Sequence, residues 1–277
     1  MRLFPAFFLP LLFSLAGQAL SEANSSDSTG SEAAPQDTAG IRADTNYLPP
    51  LRSLPNEAFG PGEYLEYEVG YGFIKAGTAT LEVRRVVNYK GYQSFELVST
   101  ARSYPALAKL YYVEDYNYSL MDCDGLFPWR YQKNVHEGRY QAFKWADFDQ
   151  KNKKIYTSKD TLAASEYVQD ALTALYYTRT IPLQVGETVE MEAYSDGKKY
   201  LLEVKVLKKE RVTVPAGSFR TIVVEPLLKT PGIFQQTGKV KVWLTDDRLR
   251  LPVLMKSRVL IGSISAQLKV FKLGERR

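Results

Sequence analysis

The chain has 277 residues, with 36 Lys and Arg against 31 Asp and Glu and a net charge of +5. This length allows one large β domain or two smaller ones, and a 45% hydrophobic fraction is enough for a core. The basic excess is spread out, with no strong Lys/Arg block, which argues against a nucleic-acid partner; a single cysteine, Cys123, excludes an internal disulfide.

Arg2, the apolar run Leu3 to Leu15 and the small residues around Ala19 predict a signal peptide, residues 1–19, cut after Ala19. The run is too short to span a bilayer, and no later stretch reaches the ~20 apolar residues a span needs. No cysteine stands at the cleavage position, so the expected product is a soluble periplasmic protein and not a lipoprotein. Residues 20–50 are small, polar and aperiodic around Ser25 to Glu32, and predict a disordered linker.

From Leu51 to the end the expectation is one β domain. Gly62 to Val69 alternates with a period of two and predicts a half-buried strand. Thr78 to Val83 and Gln93 to Ala101 follow as strands, with a Gly-rich turn at 70–77 and a hairpin turn at Asn88 to Gly91. Pro105 to Tyr112 breaks the pattern and reads as a helical turn or a loop over the sheet edge. Tyr116 to Asp122, Trp129 to His136 and Arg139 to Asp147 are the next strands. A helical connector over 160–181 carries Val168, Leu172, Leu175, Tyr176 and Arg179 at helical steps, with Ser165 as the expected N-cap and Ile181-Pro182 as its stop.

A second β unit then starts at Gly186. Gly186-Glu187-Thr188-Val189 echoes the start of the first unit. At the same spacing Leu120, Asp122, Pro128, Val135, Gly138 and Ala142 meet Leu244, Asp246, Pro252, Val259, Gly262 and Ala266. The expectation is an all-β fold built of two tandem-duplicated antiparallel units, about 62–147 and 186–271, with one helix between them. Two such units bury each other's apolar face in a sandwich or a curved, partly closed barrel.

Few residues suggest chemistry. His136, the only histidine, sits at a hairpin rim without a Gly-x-Ser-x-Gly elbow, and one His with one Cys does not make a zinc site. Asp122/Asp124 and Asp246/Asp247 suit calcium or paired-carboxylate chemistry, but they fall on equivalent turns, where Asp bonds its own backbone. No phosphate-binding loop or dinucleotide fingerprint occurs, and no cofactor or metal is expected. The 19 Tyr and 13 Phe are more informative, because aromatics with polar tips suit half-wet cavities. The ligand-binding candidates are Tyr104, Leu107, Tyr111, Tyr112, Trp129, Tyr176, Arg179 and Phe234. Arg179 and Asp170 flank the helix and read as a head-group clamp or as a surface or interdomain ion pair.

Several phrases resemble an uncharacterised family of exported bacterial proteins, the domain of unknown function numbered 3108. They are Gly62-Glu63-Tyr64-Leu65 with Tyr67, Ile74 to Ala79, Val214 to Phe219, and Trp243 to Asp247 with Arg250 to Val253. The resemblance covers about 51–271 and implies an envelope protein; it brings no activity with it. The Trp-Leu-x-Asp-Asp ending is also similar, at the level of fold, to the curved sheets of periplasmic lipoprotein carriers. The leading expectation is a non-enzymatic protein of the Gram-negative envelope that binds a lipid, another amphiphile or a lipidated partner. The alternatives are a protein–protein module in envelope assembly and, more weakly, a carbohydrate binder or carbohydrate-active protein.

Overall fold

The computed structural model describes residues 47–229, 240–258 and 263–276. The expected signal peptide, most of the expected linker, the Ile261-Gly262 part of the last turn and the candidate Phe234 lie outside the described residues. The described chain is mostly strand, in a single 15-stranded sheet ordered β8-β7-β6-β5-β4-β3-β2-β1-β15-β14-β13-β12-β11-β10-β9.

The first half is a six-stranded antiparallel meander of β1 (Glu63–Tyr71), β2 (Ile74–Tyr89), β3 (Tyr92–Ser103), β4 (Val113–Asp122), β5 (Pro128–Glu137) and β6 (Tyr140–Asp149). Helix α1 (Pro105–Ala108) bridges β3 and β4, and the short β7 (Lys154–Thr157) and β8 (Thr161–Ala163) extend one edge. The two-residue β9 (Gln169–Asp170) leads into helix α2 (Ala171–Thr178). The second half repeats the meander as β10 (Thr188–Ser195), β11 (Lys198–Val214), β12 (Gly217–Lys229), β13 (Val240–Thr245), β14 (Pro252–Arg258) and β15 (Ser263–Lys272). The halves join side by side, with β1 antiparallel to β15.

The two meanders share local details. Gly62 and Gly186 precede β1 and β10 with φ of +87° and +94°, a region that glycine enters without a Cβ clash. Their N–H groups donate to Val83 O and Val206 O at 2.7 and 2.9 Å. Pro128 and Pro252 each open a strand beside a register shift. Pro tolerates such places because it brings no ladder N–H.

The sheet has to curl. Its two edges, β8 and β9, are separated in the chain only by residues 164–168, which reach at most about 20 Å. The edges do not pair as strands; side chains and one loop N–H close the seam instead. Ser165 N donates to Glu192 of β10 at 2.7 Å, and Ser119 Oγ of β4 donates to Asp170 at 2.9 Å. Asp196, at the β10–β11 turn, accepts Lys144 of β6 at 2.9 Å and lies 3.6 Å from Lys133 of β5. Tyr131, Phe148, Ile155, Val168 and Tyr194 pack together behind these contacts. The result is a partly closed barrel with a long apolar core inside.

One end of this barrel is plugged. Residues 51–61 are not a strand but a strap across the end, pinned by Leu54 N to Asp124 O and Arg52 Nε to Gly125 O. Ala58 and Phe59 of the strap are buried in the core. Glu275 N of the tail donates to Pro61 O.

The helix differs from the sequence expectation. It starts at Ala171, and its N-cap is Asp170, not Ser165. Asp170 accepts from Leu172 N and Thr173 N, while the Thr173 hydroxyl accepts from Asp170 N, a reciprocal capping box. Residues before it were drawn into β8, β9 and the seam. Asp170→Ala should lower stability by about 2 kcal/mol, read as a lower urea midpoint with unchanged slope.

Candidate functional site

α2 lies on the concave face and is held at both ends. At its start the Asp170 carboxyl is fully buried. Burial pushes it up to about 6, against the opposing effect of its N–H and Ser119 donors. At its end Arg179 is 1% exposed and grips Glu63 with two bonds, Nη1 to Oε1 at 2.6 Å and Nη2 to Oε2 at 2.8 Å. The guanidinium also donates to Ala58 O and Leu249 O. It lies 5.3 Å from the Phe59 ring centroid and 5.2 Å from that of Tyr176. Burial opposes its charge, but the Glu63 carboxylate outweighs this and holds Arg179 above its usual value. Tyr67 donates to Pro252 O at 2.8 Å, and burial keeps the Tyr67 and Tyr176 phenols well above the usual range.

Arg179 and Asp170 therefore do not pair with each other across the helix. Each has its own buried partner, so the expected surface or interdomain pair becomes a pair in the core. Its carboxylate, Glu63, was missed. The signal was there: Glu63 shares parity with Leu65, Tyr67 and Val69, the buried face of β1, while Glu66 and Glu68 have the other parity.

Between α2 and the second half lies a narrow apolar cleft. Ala174, Leu175 and Thr178 face Leu202 and Val204 of β11, Val224 and Pro226 of β12, and Val242 and Leu244 of β13. Its volume is about 30 Å³. The Thr178 hydroxyl donates to Ala174 O at 2.7 Å, so the one polar side chain in the lining is already satisfied.

Across the interior, β4 and β5 carry a polar stripe of Asp115, Asn117, Ser119, Lys133 and Glu137, all buried. Tyr131 donates to Asn117, Ser119 to Asp170, and Lys133 faces Asp196, so the stripe serves the seam. Asp115 and Glu137 lie against each other. Burial, then the Glu137 charge, pushes Asp115 up to about 8, with His136 N and Lys133 opposing. Glu137 is raised by burial as well.

The remaining candidates are spread out. Trp129 donates to Asp122 Oδ2 and stacks with Tyr92 and Phe127 in a separate cluster. Tyr104, Leu107, Tyr111 and Tyr112 surround α1 at the end away from the strap. Tyr112 packs on His136, whose ring meets Gln141. Tyr176 and Arg179 come together in the core, apart from the group at α1 and from Trp129. The acidic turns are occupied by backbone: Asp122 accepts from Asp124 N and Gly125 N, and Asp247 from Leu249 N and Arg250 N. Among the described residues no cluster of His, Cys, Asp or Glu could hold a metal, and no helix is long and apolar enough to cross a membrane.

A family model described as a protein of unknown function, DUF3108, matches residues 66–269. No curated protein matches the chain. Among solved structures the chain is similar to a β-barrel-like protein of the domain of unknown function DUF1849 from Brucella abortus. Identity is 12%, with 79% of this chain and 99% of that one covered, at a TM-score of 0.54. That likeness is one of fold and agrees with the partly closed barrel. A candidate lipoprotein from Parabacteroides distasonis shares 12% identity over 80% of this chain and 99% of that one, at a TM-score of 0.36. A candidate exported protein with a YmcC-like fold from Bacteroides fragilis shares 14% over 80% and 99%, at 0.31.

Two outcomes follow from the buried charges. Glu63→Ala leaves the Arg179 guanidinium buried and unpaired, and should cost about 3–5 kcal/mol in urea unfolding; a loss under 1 kcal/mol would show that the pair is not the anchor described. Asp115 binds its proton more tightly folded than unfolded, so its contribution is full below pH 4 and falls away as pH rises towards 8. Asp115→Asn should therefore gain stability relative to the parent as pH is raised over that window, seen in thermal midpoints at several pH values.

Proposed function

The chain belongs to the DUF3108 family of proteins of unknown function, and from that premise we propose that it is a non-enzymatic, exported envelope protein that binds the apolar part of a lipid or other amphiphile inside its barrel. The observation that carries this reading is the cleft between α2 and β11–β13. Its lining is hydrocarbon, with the Thr178 hydroxyl turned back onto the helix. Such a wall offers nothing to a polar ligand and favours alkyl groups at about 0.8 kcal/mol per buried methylene. The matching meanders fit a tandem duplication. On this reading the two halves have diverged: the first carries a polar stripe on β4 and β5 beside the apolar side chains of β1–β3, and the second keeps an apolar wall for the ligand.

The cleft is narrow, so an alkyl chain enters by separating α2 from the sheet. Leu175, only half-buried, is the side chain that would give way. Both helix ends stay anchored at Asp170 and Arg179, so the movement is a roll or bowing of the helix between its fixed ends and not its release. A strand-adding role through the sheet edges is less well supported, because β8 has three residues and β9 two, and both lie against the seam.

Native mass spectrometry with solvent extraction of gently purified protein tests the reading. The expected result is a stoichiometric amphiphile that is lost on unfolding, and also lost from a Val224→Trp variant that keeps its β circular dichroism. A bare mass after purification from envelope membranes, with none taken up from added fatty acid, would overturn it.

A further inference from the structure

The end of the barrel away from the strap carries a rim of apolar side chains that contribute nothing to the core. Phe73, at the β1–β2 turn, is 107% exposed and Ile74 beside it 56%. Leu110, just after α1, is 74% exposed, and Tyr140, at the β5–β6 turn, 48%. These three connections follow one another round the rim. Tyr104 N donates to Ala76 O, and Gly138 N to Tyr112 O, tying each connection to the next. Single exposed apolar residues are ordinary; several on consecutive turns of one rim mark a contact surface.

Each apolar tip has a basic residue next to it. Lys75 follows Ile74, Lys109 precedes Leu110, and Arg139 precedes Tyr140; all three are exposed. The acidic groups nearby are already engaged. Glu68 accepts Lys75, Glu114 accepts Arg102, and Glu137 and Asp115 are buried against each other. Lys109 and Arg139 make no ion pair with a described residue. The rim therefore presents apolar tips inside a positive collar.

We propose that this rim docks on the surface of an anionic phospholipid bilayer. The tips sit on separate turns, with Lys109 and Arg139 free beside two of them, and not on one continuous shaped patch. That arrangement suits a fluid, laterally adaptable surface better than a folded partner. Turn peptide groups do not enter hydrocarbon, so the backbone stays at headgroup depth. Phe73, Ile74 and Leu110 reach past it, Tyr140 rests at the interface, and the cations meet lipid phosphates. The inference goes beyond the interior cleft and does not depend on it.

Flotation of the full chain with vesicles tests it. Binding is expected to vesicles containing phosphatidylglycerol and to weaken by about tenfold on pure phosphatidylcholine or at high salt. Phe73→Ser with Leu110→Ser, and separately Lys109→Glu with Arg139→Glu, should each reduce binding to anionic vesicles by about tenfold or more. Val185→Ser, an exposed apolar site at the other end, should leave it unchanged. All of these positions are exposed, so thermal midpoints should hold and confirm that the variants fold. No flotation with anionic vesicles, or flotation that both rim variants retain, would overturn the proposal. So would rim-dependent binding to a protein without vesicle binding.

Discussion

Everything at the plugged end of the barrel depends on one buried ion pair. Arg179 and Glu63 come from the end of α2 and the start of β1, and the same guanidinium holds carbonyls of the strap at Ala58 and of the β13–β14 turn at Leu249. Three stretches distant in sequence, residues 58–63, Arg179 and Leu249, meet at one planar cation. Removing two charges from water costs several kcal/mol for each ion, and only full hydrogen bonding with good geometry repays it. Here both carboxylate oxygens are used, and carbonyls take up further guanidinium donors. An apolar pair of similar volume could be as stable. It would not dictate which carbonyls the helix end must meet, and that placement sets where α2 lies on the concave face.

The rest of the interior divides by chemistry. A curved sheet whose edges do not pair has to be held shut by something other than a β ladder, and here polar side chains on β4 and β5 do so through Asp170 and Asp196. That use of β4 and β5 leaves the apolar interior to β1–β3 and to the second half, where α2 faces β11–β13. The asymmetry sits on two meanders whose starts at Gly62 and Gly186 and register shifts beside Pro128 and Pro252 correspond, so at those places it lies in the side chains and not in the backbone.

Much of the fold is legible in the sequence because period-two alternation and turn glycines report backbone geometry directly. β1, the break at α1, the hairpins and the second unit beginning after Gly186 all follow from that reading. Long-range choices were not legible. Ser165 looks like a cap, but the hydrogen bonds of a cap depend on where the helix begins, and the sheet edge claimed residues 161–170 first. The strap at 51–61 has no periodicity, because its apolar residues reach the core one at a time. Of the candidate site, Tyr176 and Arg179 fall together through the helical spacing that suggested them. Trp129 and the tyrosines round α1 were grouped by sequence proximity, which a meander spreads over different faces and ends. Glu63 was hidden by its company: an acidic residue among acidic residues looks solvent-facing until its parity is counted.

The joint between β1 and β15 also sets an order of events. The first strand of the barrel takes its second neighbour from residues 263–272, far along the chain. During synthesis the first meander can assemble from local hairpins, yet one flank of β1 stays bare until residues 263–272 arrive. Contacts of such long separation form late and slowly. A chain stopped before residue 263 would be left with two open strand flanks, on β1 and on β14, each ready to take a strand from another molecule.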